Sequence, residues 1–473
     1  MPTRTKPGRN GRPRTRTDGT TGVGETVLAN GLKLLTLERH DVPIVTVMIW
    51  YRVGSAREEE GRTGLAHFLE HLMFKGTDRY KKGEIDRLTQ RLGATNNAMT
   101  SRDCTCYYFN LPAGDWLPAL EIEANRMRRC RFPPGEVELE RSVVLEEIGR
   151  NEDSPYGALD TAVFAAAYST HPYRHPILGW RDDLAGVRRG AIREFYDRHY
   201  HPSNAFVVMA GDFATPQAVQ AVERLFARIP PGPRPDRPVR TESRAKGEKR
   251  VAVRMDVQVP KVQILFRTVP GNHADDRVLD VVASLLSDGR SSLLFRRLVE
   301  ERRLMTDVDT VNDTKVEDGV FWIYGTIHPE VHPDRGVDEV VRCLERIATQ
   351  GPSVRALAQA KNQSEADFLY NWEKVFNQAY LVGKSELLGD LDRLGRYTKD
   401  VQSVTAADVR RVVSEYLGPD RMTVGLLLPE RRCASGAPAR SPSMNPVRAR
   451  RSAGGPDARR EPEVVALLRQ GRS

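Results

Sequence analysis

One structural unit is written twice into this chain of 473 residues, and that limits its folds more than any single motif does. Val42-Pro-Ile-Val-Thr-Val-Met-Ile-Trp50 and Val259-Pro-Lys-Val-Gln-Ile-Leu-Phe-Arg267 both open on Val-Pro and continue as an apolar, β-branched stretch of strand length. They stand 217 residues apart. The same offset lays Ala191–Met209 over Asp408–Leu426, and in each an amphipathic helical pattern runs to a proline, Pro202 or Pro419, and then to an apolar strand. Two matches at one offset, far apart in the chain, mark a duplication. Between the copies, Ile229–Pro238 is too rich in proline for a helix or a central strand.

The chain therefore divides into a basic tail (1–24), a first unit (25–230), a Pro-rich linker (231–247), a second unit (248–430) and a basic low-complexity tail (431–473). Each unit runs through paired strands, long helices and a closing strand. That order predicts an α+β fold of two tandem homologous domains, each a largely antiparallel sheet packed by helices.

The formal charge of +9 resides in the tails. They carry about +5 and +7, which leaves the two units near −3 and removes the main argument for a nucleic-acid partner. Both tails are rich in Pro, Gly, Ser and Arg and read as disordered, with a short helical pattern at Glu463–Gln470. No window approaches the roughly 18–20 apolar residues of a membrane span. The N-terminus lacks the apolar core of a secretory signal, and Pro2, Pro7 and Pro13 oppose an amphipathic transit helix. Cys104, Cys106, Cys130, Cys343 and Cys433 are odd in number and scattered, which reads as reduced thiols and a cytoplasmic setting.

The chemistry concentrates in Gly64–Thr77. Leu65, Ala66, Phe68, Leu69, Leu72 and Met73 make an apolar helix in which His67 and His71 stand one turn apart on one face. Glu70 borders the same face. Three titratable side chains in so apolar a helix are costly unless they share a partner, and zinc is the partner this spacing serves. A catalytic zinc takes three protein ligands and keeps a fourth position for water. The third ligand is expected on Glu140–Ile148, where Glu140 and Glu147 lie seven apart on one helix face and Glu146 points elsewhere.

His67-Phe-Leu-Glu-His71, followed by Glu147, resembles the inverted zincin helix of the pitrilysin or insulinase family of metallopeptidases, nearest its two-domain, processing-peptidase-like members. Gly93–Tyr107 is similar to that family's Asn-Ala-x-Thr segment, His171-Pro to Leu178-Gly179 to its His-Pro to Leu-Gly loop, and Gly289–Phe295 to a second-domain motif. The resemblance implies one Zn2+ per chain held by His67, His71 and Glu147, Glu70 as general base and Glu140 orienting a ligand. It also implies that Asn97 and Ala98 receive the substrate as an added strand. One segment departs from the pattern. Where the family carries an Arg and, seven residues later, a Tyr that grip the scissile carbonyl, this chain has Val299 and Thr306. The resemblance thus implies a related, metal-free partner chain that supplies the Arg and Tyr. In the second unit the offset sets Ser284, Ser287 and Asp288 where His67, Glu70 and His71 stand. The main alternative is a catalytically silent assembly or binding subunit, and the intact metal set argues against it.

Overall fold

The apolar stretches at 42–50 and 259–267 become central strands, buried on both faces. The structure, a computed structural model, describes residues 14–17, 21–233, 242–243 and 247–430. The first unit comprises β1 (Arg14–Thr17), β2 (Gly24–Val27), β3 (Lys33–Glu38), β4 (Ile44–Tyr51), α1 (Leu65–Leu72), α2 (Glu84–Arg91), β5 (Thr95–Thr100) and β6 (Thr105–Pro112). It continues with α3 (Leu117–Arg129), α4 (Pro134–Asp153), α5 (Pro155–Ala167), α6 (Arg181–Gly186), α7 (Arg189–His199), β7 (Ala205–Gly211) and α8 (Thr215–Phe226). The second unit comprises β8 (Lys249–Met255), β9 (Lys261–Arg267), α9 (Asp275–Ser287), β10 (Met305–Asp313), β11 (Val320–Ile327) and α10 (Pro333–Gln350). Its later elements are α11 (Val354–Trp372), α12 (Val375–Leu388), α13 (Arg393–Ser403), α14 (Ala406–Tyr416) and β12 (Met422–Pro429).

The duplication holds strand for strand. The first sheet has the order β1-β2-β3-β7-β4-β6-β5 and the second β10-β11-β9-β12-β8, so β3-β7-β4-β6-β5 matches β8-β12-β9-β11-β10. Every pairing is antiparallel except β3 with β7 and its counterpart β8 with β12. α7 and α14, and the starts of β7 and β12, keep the offset of 217 residues. The expected α+β class with largely antiparallel sheets is what the chain adopts.

One boundary moves. Residues 1–24 read as an unstructured tail, yet β1 pairs with β2 from Arg14 opposite Val27 to Thr17 opposite Gly24. A sheet edge can order a polar segment through main-chain hydrogen bonds, and composition carries no trace of that. The rest of residues 1–20, the linker residues 234–241 and 244–246, and the tail 431–473 with its Glu463–Gln470 stretch lie outside the described residues. No helix among the described residues is long and apolar enough to cross a membrane. Cys104, Cys106, Cys130 and Cys343 are free and buried.

Each sheet packs its own unit's helices on one face and a helix of the other unit on the opposite face. Val375, Ala379 and Val382 of α12 cover Trp50, Phe206 and Leu35 in the first sheet. Leu159, Val163 and Phe164 of α5 cover Leu265, Trp322 and Leu427 in the second. Two glycines allow this closeness. A Cβ at Gly383 would lie 2.4 Å from the Trp50 ring, and one at Gly425 would lie 2.3 Å from the Val163 side chain. Gly425→Ala should therefore destabilise the chain by about 1–3 kcal/mol. Gly383→Ala should cost less, because helix propensity returns about 1 kcal/mol. Urea unfolding monitored by circular dichroism checks both, and a stabilised Gly425→Ala protein would contradict the packing described.

Candidate metal centre

α1 is short, and the chain around it makes up for what a helix of eight residues lacks. Its apolar residues Leu65, Ala66, Phe68, Leu69 and Leu72 are buried, so the helix is fixed by packing as well as by its own hydrogen bonds. The N-cap, Gly64, has φ 88°, a left-handed backbone natural to glycine, and supplies no side-chain cap. Glu58 caps the helix instead: its carboxylate accepts from the N–H groups of Gly64 (2.8 Å) and Ala66 (2.7 Å). The loop that ends at Leu178-Gly179 braces the same end. Thr63 donates to Asp183 through N (3.1 Å) and Oγ1 (2.7 Å), and the Trp180 N–H donates to Thr63 Oγ1 at 2.8 Å. A Cβ on Gly179 would stand 2.4 Å from Gly64 N, which accounts for a glycine at each position.

α4 crosses α1 and brings carboxylates to the histidines. Glu147 Oε2 lies 3.4 Å from His71 Nε2 and 3.8 Å from His67 Nε2. Each of His67, His71 and Glu147 offers a ligand atom within 4.8 Å of the others, the one such group of His, Cys, Asp or Glu among the described residues. Two donors on a tetrahedral ion with bonds near 2.1 Å stand about 3.4 Å apart. The triad fits a zinc ion in spacing and in donor type. Two imidazoles and one carboxylate are the set of a catalytic rather than a closed structural site.

Glu140, two turns back on α4, accepts from His71 Nδ1 at 2.9 Å and from Lys75 Nζ at 2.5 Å. That contact leaves Nε2 of His71 as the ligand atom. Glu146 is exposed, as expected. Burial works against a charged His71, but hydrogen bonds to Glu140 and Glu147 and the charge of Glu70 outweigh it, and its pKa rises to about 9. Burial likewise opposes ionisation of Glu140, yet its hydrogen bonds to His71 and Lys75 hold its carboxyl below the ordinary value. In the metal-free protein a proton on His71 thus does part of a cation's work.

Glu70 is buried on the same helix, and Thr100 Oγ1 donates to its Oε2 at 2.5 Å. Thr100 ends β5, the outermost strand of the first sheet. Ala98 points into the core beneath α1, and Asn97 is exposed, with Oδ1 accepting from the Ala98 N–H at 2.9 Å. The two residues named for substrate thus lie on an open sheet edge next to the triad. In the second unit Val299 packs against the apolar core, and Thr306 on β10 is exposed, with Oγ1 near Asp307 and the Thr326 carbonyl. Ser287, at the position of Glu70, binds Thr310 at 2.8 Å.

Sequence reasoning missed Glu58, Lys75 and Thr100. Lys75 reaches Glu140 from the turn that follows α1, where helical spacing no longer applies. Glu58 caps from an irregular loop, and nothing in its spacing announces that.

Known proteins agree with this picture. Residues 33–180 match the model for insulinase (peptidase family M16), and residues 186–364 match the model for the peptidase M16 inactive domain. The chain is 29% identical over 413 residues to the zinc protease PqqE of Helicobacter pylori, spanning 85% of this chain and 92% of that one. It is 30% identical over 398 residues to an uncharacterized zinc protease of Mycobacterium bovis, spanning 83% and 90%. Its fold matches the crystal structure of a protease from Helicobacter pylori with a TM-score of 0.82 at 28% identity, covering 88% of this chain and all of that one (100%). A structure titled peptidase M16 inactive domain, from Pseudomonas fluorescens, matches with a TM-score of 0.79 at 18% identity over 86% and 98%, a likeness of fold alone. The chain belongs to the M16 family, the insulinase or pitrilysin type of peptidase. Relatives it resembles along most of their length carry the name zinc protease.

Two outcomes follow for the metal centre. Glu140→Gln should weaken zinc binding roughly 10- to 100-fold, since it loses the charge that orients His71. Competition with a chromogenic chelator measures this, and unchanged affinity would remove Glu140 from the centre. The raised pKa of His71 sets a pH dependence as well. A histidine whose folded pKa lies above its ordinary 6.5 stabilises the fold fully below that value and loses the contribution as pH rises through about 9. The zinc-free protein should therefore lose stability from pH 6.5 to 9, while apparent zinc affinity rises across the same interval as the competing proton leaves. Calorimetric melting of the chelated and zinc-loaded forms reads both.

Proposed function

We propose that the chain is a zinc-dependent endopeptidase acting on extended peptides, with His67, His71 and Glu147 as metal ligands and Glu70 as general base. We further propose that it is the catalytic member of a two-chain assembly. The observation that carries the first reading is the convergence of the three ligand atoms beside a buried, hydrogen-bonded Glu70. A zinc ion held there supplies Lewis acidity for a scissile carbonyl and lowers the pKa of water toward roughly 7.

The chain's own residues do the rest. Glu140 keeps His71 in the tautomer that presents Nε2. Glu70 takes a proton from the attacking water and returns it to the leaving amine. The open edge of β5 at Asn97 and Ala98 pairs with the main chain of an extended peptide, which selects conformation over side-chain identity. The tetrahedral intermediate also needs preorganised donors, and loss of one typically costs a hundredfold to a thousandfold in rate, on the order of 3–4 kcal/mol. Val299 cannot donate a hydrogen bond, and Thr306 is a far shorter donor than tyrosine, which is the ground for a related partner that contributes Arg and Tyr.

Glu70→Gln should keep zinc and abolish peptide hydrolysis, because an amide cannot accept the water proton. Metal analysis together with a quenched-fluorescence peptide assay tests it, and normal turnover would exclude Glu70 as base. The purified chain alone should be weakly active and should gain activity with a metal-free M16 chain that retains the Arg and Tyr. Full activity as a monomer, unaffected by any such chain, would sink the two-chain reading. A zinc-loaded chain silent with every partner would instead favour the binding-subunit alternative.

A further inference from the structure

We propose that Thr100 is a positioning residue for the general base: its hydroxyl locks the orientation of the Glu70 carboxylate from the strand that registers the peptide. The proposal rests on the reading of Glu70 as base.

The bond of 2.5 Å between Thr100 Oγ1 and Glu70 Oε2 falls at the short end for O–H donation to an ionised carboxylate. The hydroxyl carries the proton of this bond and the carboxylate oxygen accepts it. Thr100 has one competing acceptor nearby, Thr105 Oγ1 at 3.5 Å, and Thr105 itself donates to the Val53 carbonyl at 2.9 Å. On β5, Ala98 faces the core beneath α1, and Thr100, two residues on, projects from the same face. A β-branched side chain on a strand has few χ1 choices, so the hydroxyl is aimed by the backbone.

That backbone is held from three directions. Within the β5–β6 turn, the Ser101 N–H donates to the Cys104 carbonyl at 2.8 Å. From the segment after β4, the N–H groups of Ser55 and Ala56 donate to the carbonyls of Ser101 (3.1 Å) and Arg102 (2.9 Å). Asp103 accepts from Tyr173 Oη at 2.6 Å and from the Val316 N–H of the second unit at 3.0 Å. The turn that fixes Thr100 is thus pinned partly by the other domain.

The consequence is chemical. The Thr100 hydroxyl gives Oε2 a fixed donor and so favours one orientation of the carboxylate. Without the hydroxyl the carboxylate loses one restraint on its last torsion, and the orientation productive for proton transfer is populated less. Because Asn97 and Ala98 lie on the same strand, peptide and base share one rigid support.

The test uses full-length, zinc-loaded protein, with its partner where activity requires one. Thr100→Val keeps the branched shape and removes the donor, and Thr100→Ser restores the donor. Thr100→Val should lower kcat roughly 10- to 100-fold with KM changed by less than about twofold, and with zinc content and melting temperature unaltered. Thr100→Ser should recover most of the rate. Independently of turnover, a crystal structure of Thr100→Val should show the Glu70 carboxylate in more than one orientation, and wild type and Thr100→Ser in one. Wild-type kcat in Thr100→Val, equal impairment in Thr100→Ser, loss of zinc, or a single unchanged Glu70 orientation in Thr100→Val would each overturn the proposal. If wild type hydrolyses no peptide under any condition, the peptidase reading fails, and the crystallographic comparison still decides whether Thr100 fixes Glu70.

Discussion

The exchange of α5 and α12 between the two units is the packing on which the rest depends. A sheet whose strands are apolar on both faces needs two covers, and one unit's helices supply only one. Here each unit covers the other's exposed face, with Trp50 under α12 and Trp322 under α5. At roughly 25 cal/mol per Å2 of apolar surface removed from water, two such faces outweigh any of the polar contacts between the units. The exchange also settles what stays open. α4 runs directly into α5 through Ser154, so the helix that carries Glu140 and Glu147 is tied at its end to the second sheet. With both broad faces of the first sheet covered, what stays open is its edges, and β5 is the edge strand beside the triad.

The candidate metal centre is built from charged groups that the fold buries. His67, Glu70 and Glu140 are all nearly excluded from solvent, at 7%, 9% and 4% exposure. Isolated, each would be expensive; Glu140 is compensated by Lys75 and His71, His67 faces Glu147, and Glu70 accepts from Thr100. Low solvent access keeps these interactions strong and fixes the side chains of the candidate centre relative to one another. The second unit has the same scaffold without this chemistry. Ser284, Ser287 and Asp288 stand where His67, Glu70 and His71 do, Ser287 is satisfied by Thr310, and the fold persists. The scaffold therefore does not need the metal site.

The sequence disclosed what depends on period and repetition. The shared offset predicted two units of like topology because both copies must bury the same faces. His67, His71, Glu140 and Glu147 were legible because helical geometry converts their spacing into a common face. What escaped had no such period. β1 joins the sheet by main-chain pairing with β2, which its composition does not announce. Glu58 reaches the start of α1 from an irregular loop, and Thr100 reaches Glu70 across the space between a strand and a helix. The reciprocal packing of α5 and α12 was equally silent, since each helix pattern shows an apolar face but not which sheet it meets.

The central claim is that His67, His71 and Glu147 hold one zinc ion in an open, catalytic geometry. Zinc K-edge X-ray absorption on the purified full-length chain tests it most directly, because sulfur, nitrogen and oxygen neighbours separate by distance. The expected spectrum is that of a single four-coordinate zinc with about two imidazole nitrogens and two oxygens near 2.0–2.2 Å, one oxygen from Glu147 and one from water. A sulfur neighbour near 2.3 Å, which would bring the buried cysteines into the site, or a protein that retains no zinc after exposure to it, would contradict the account.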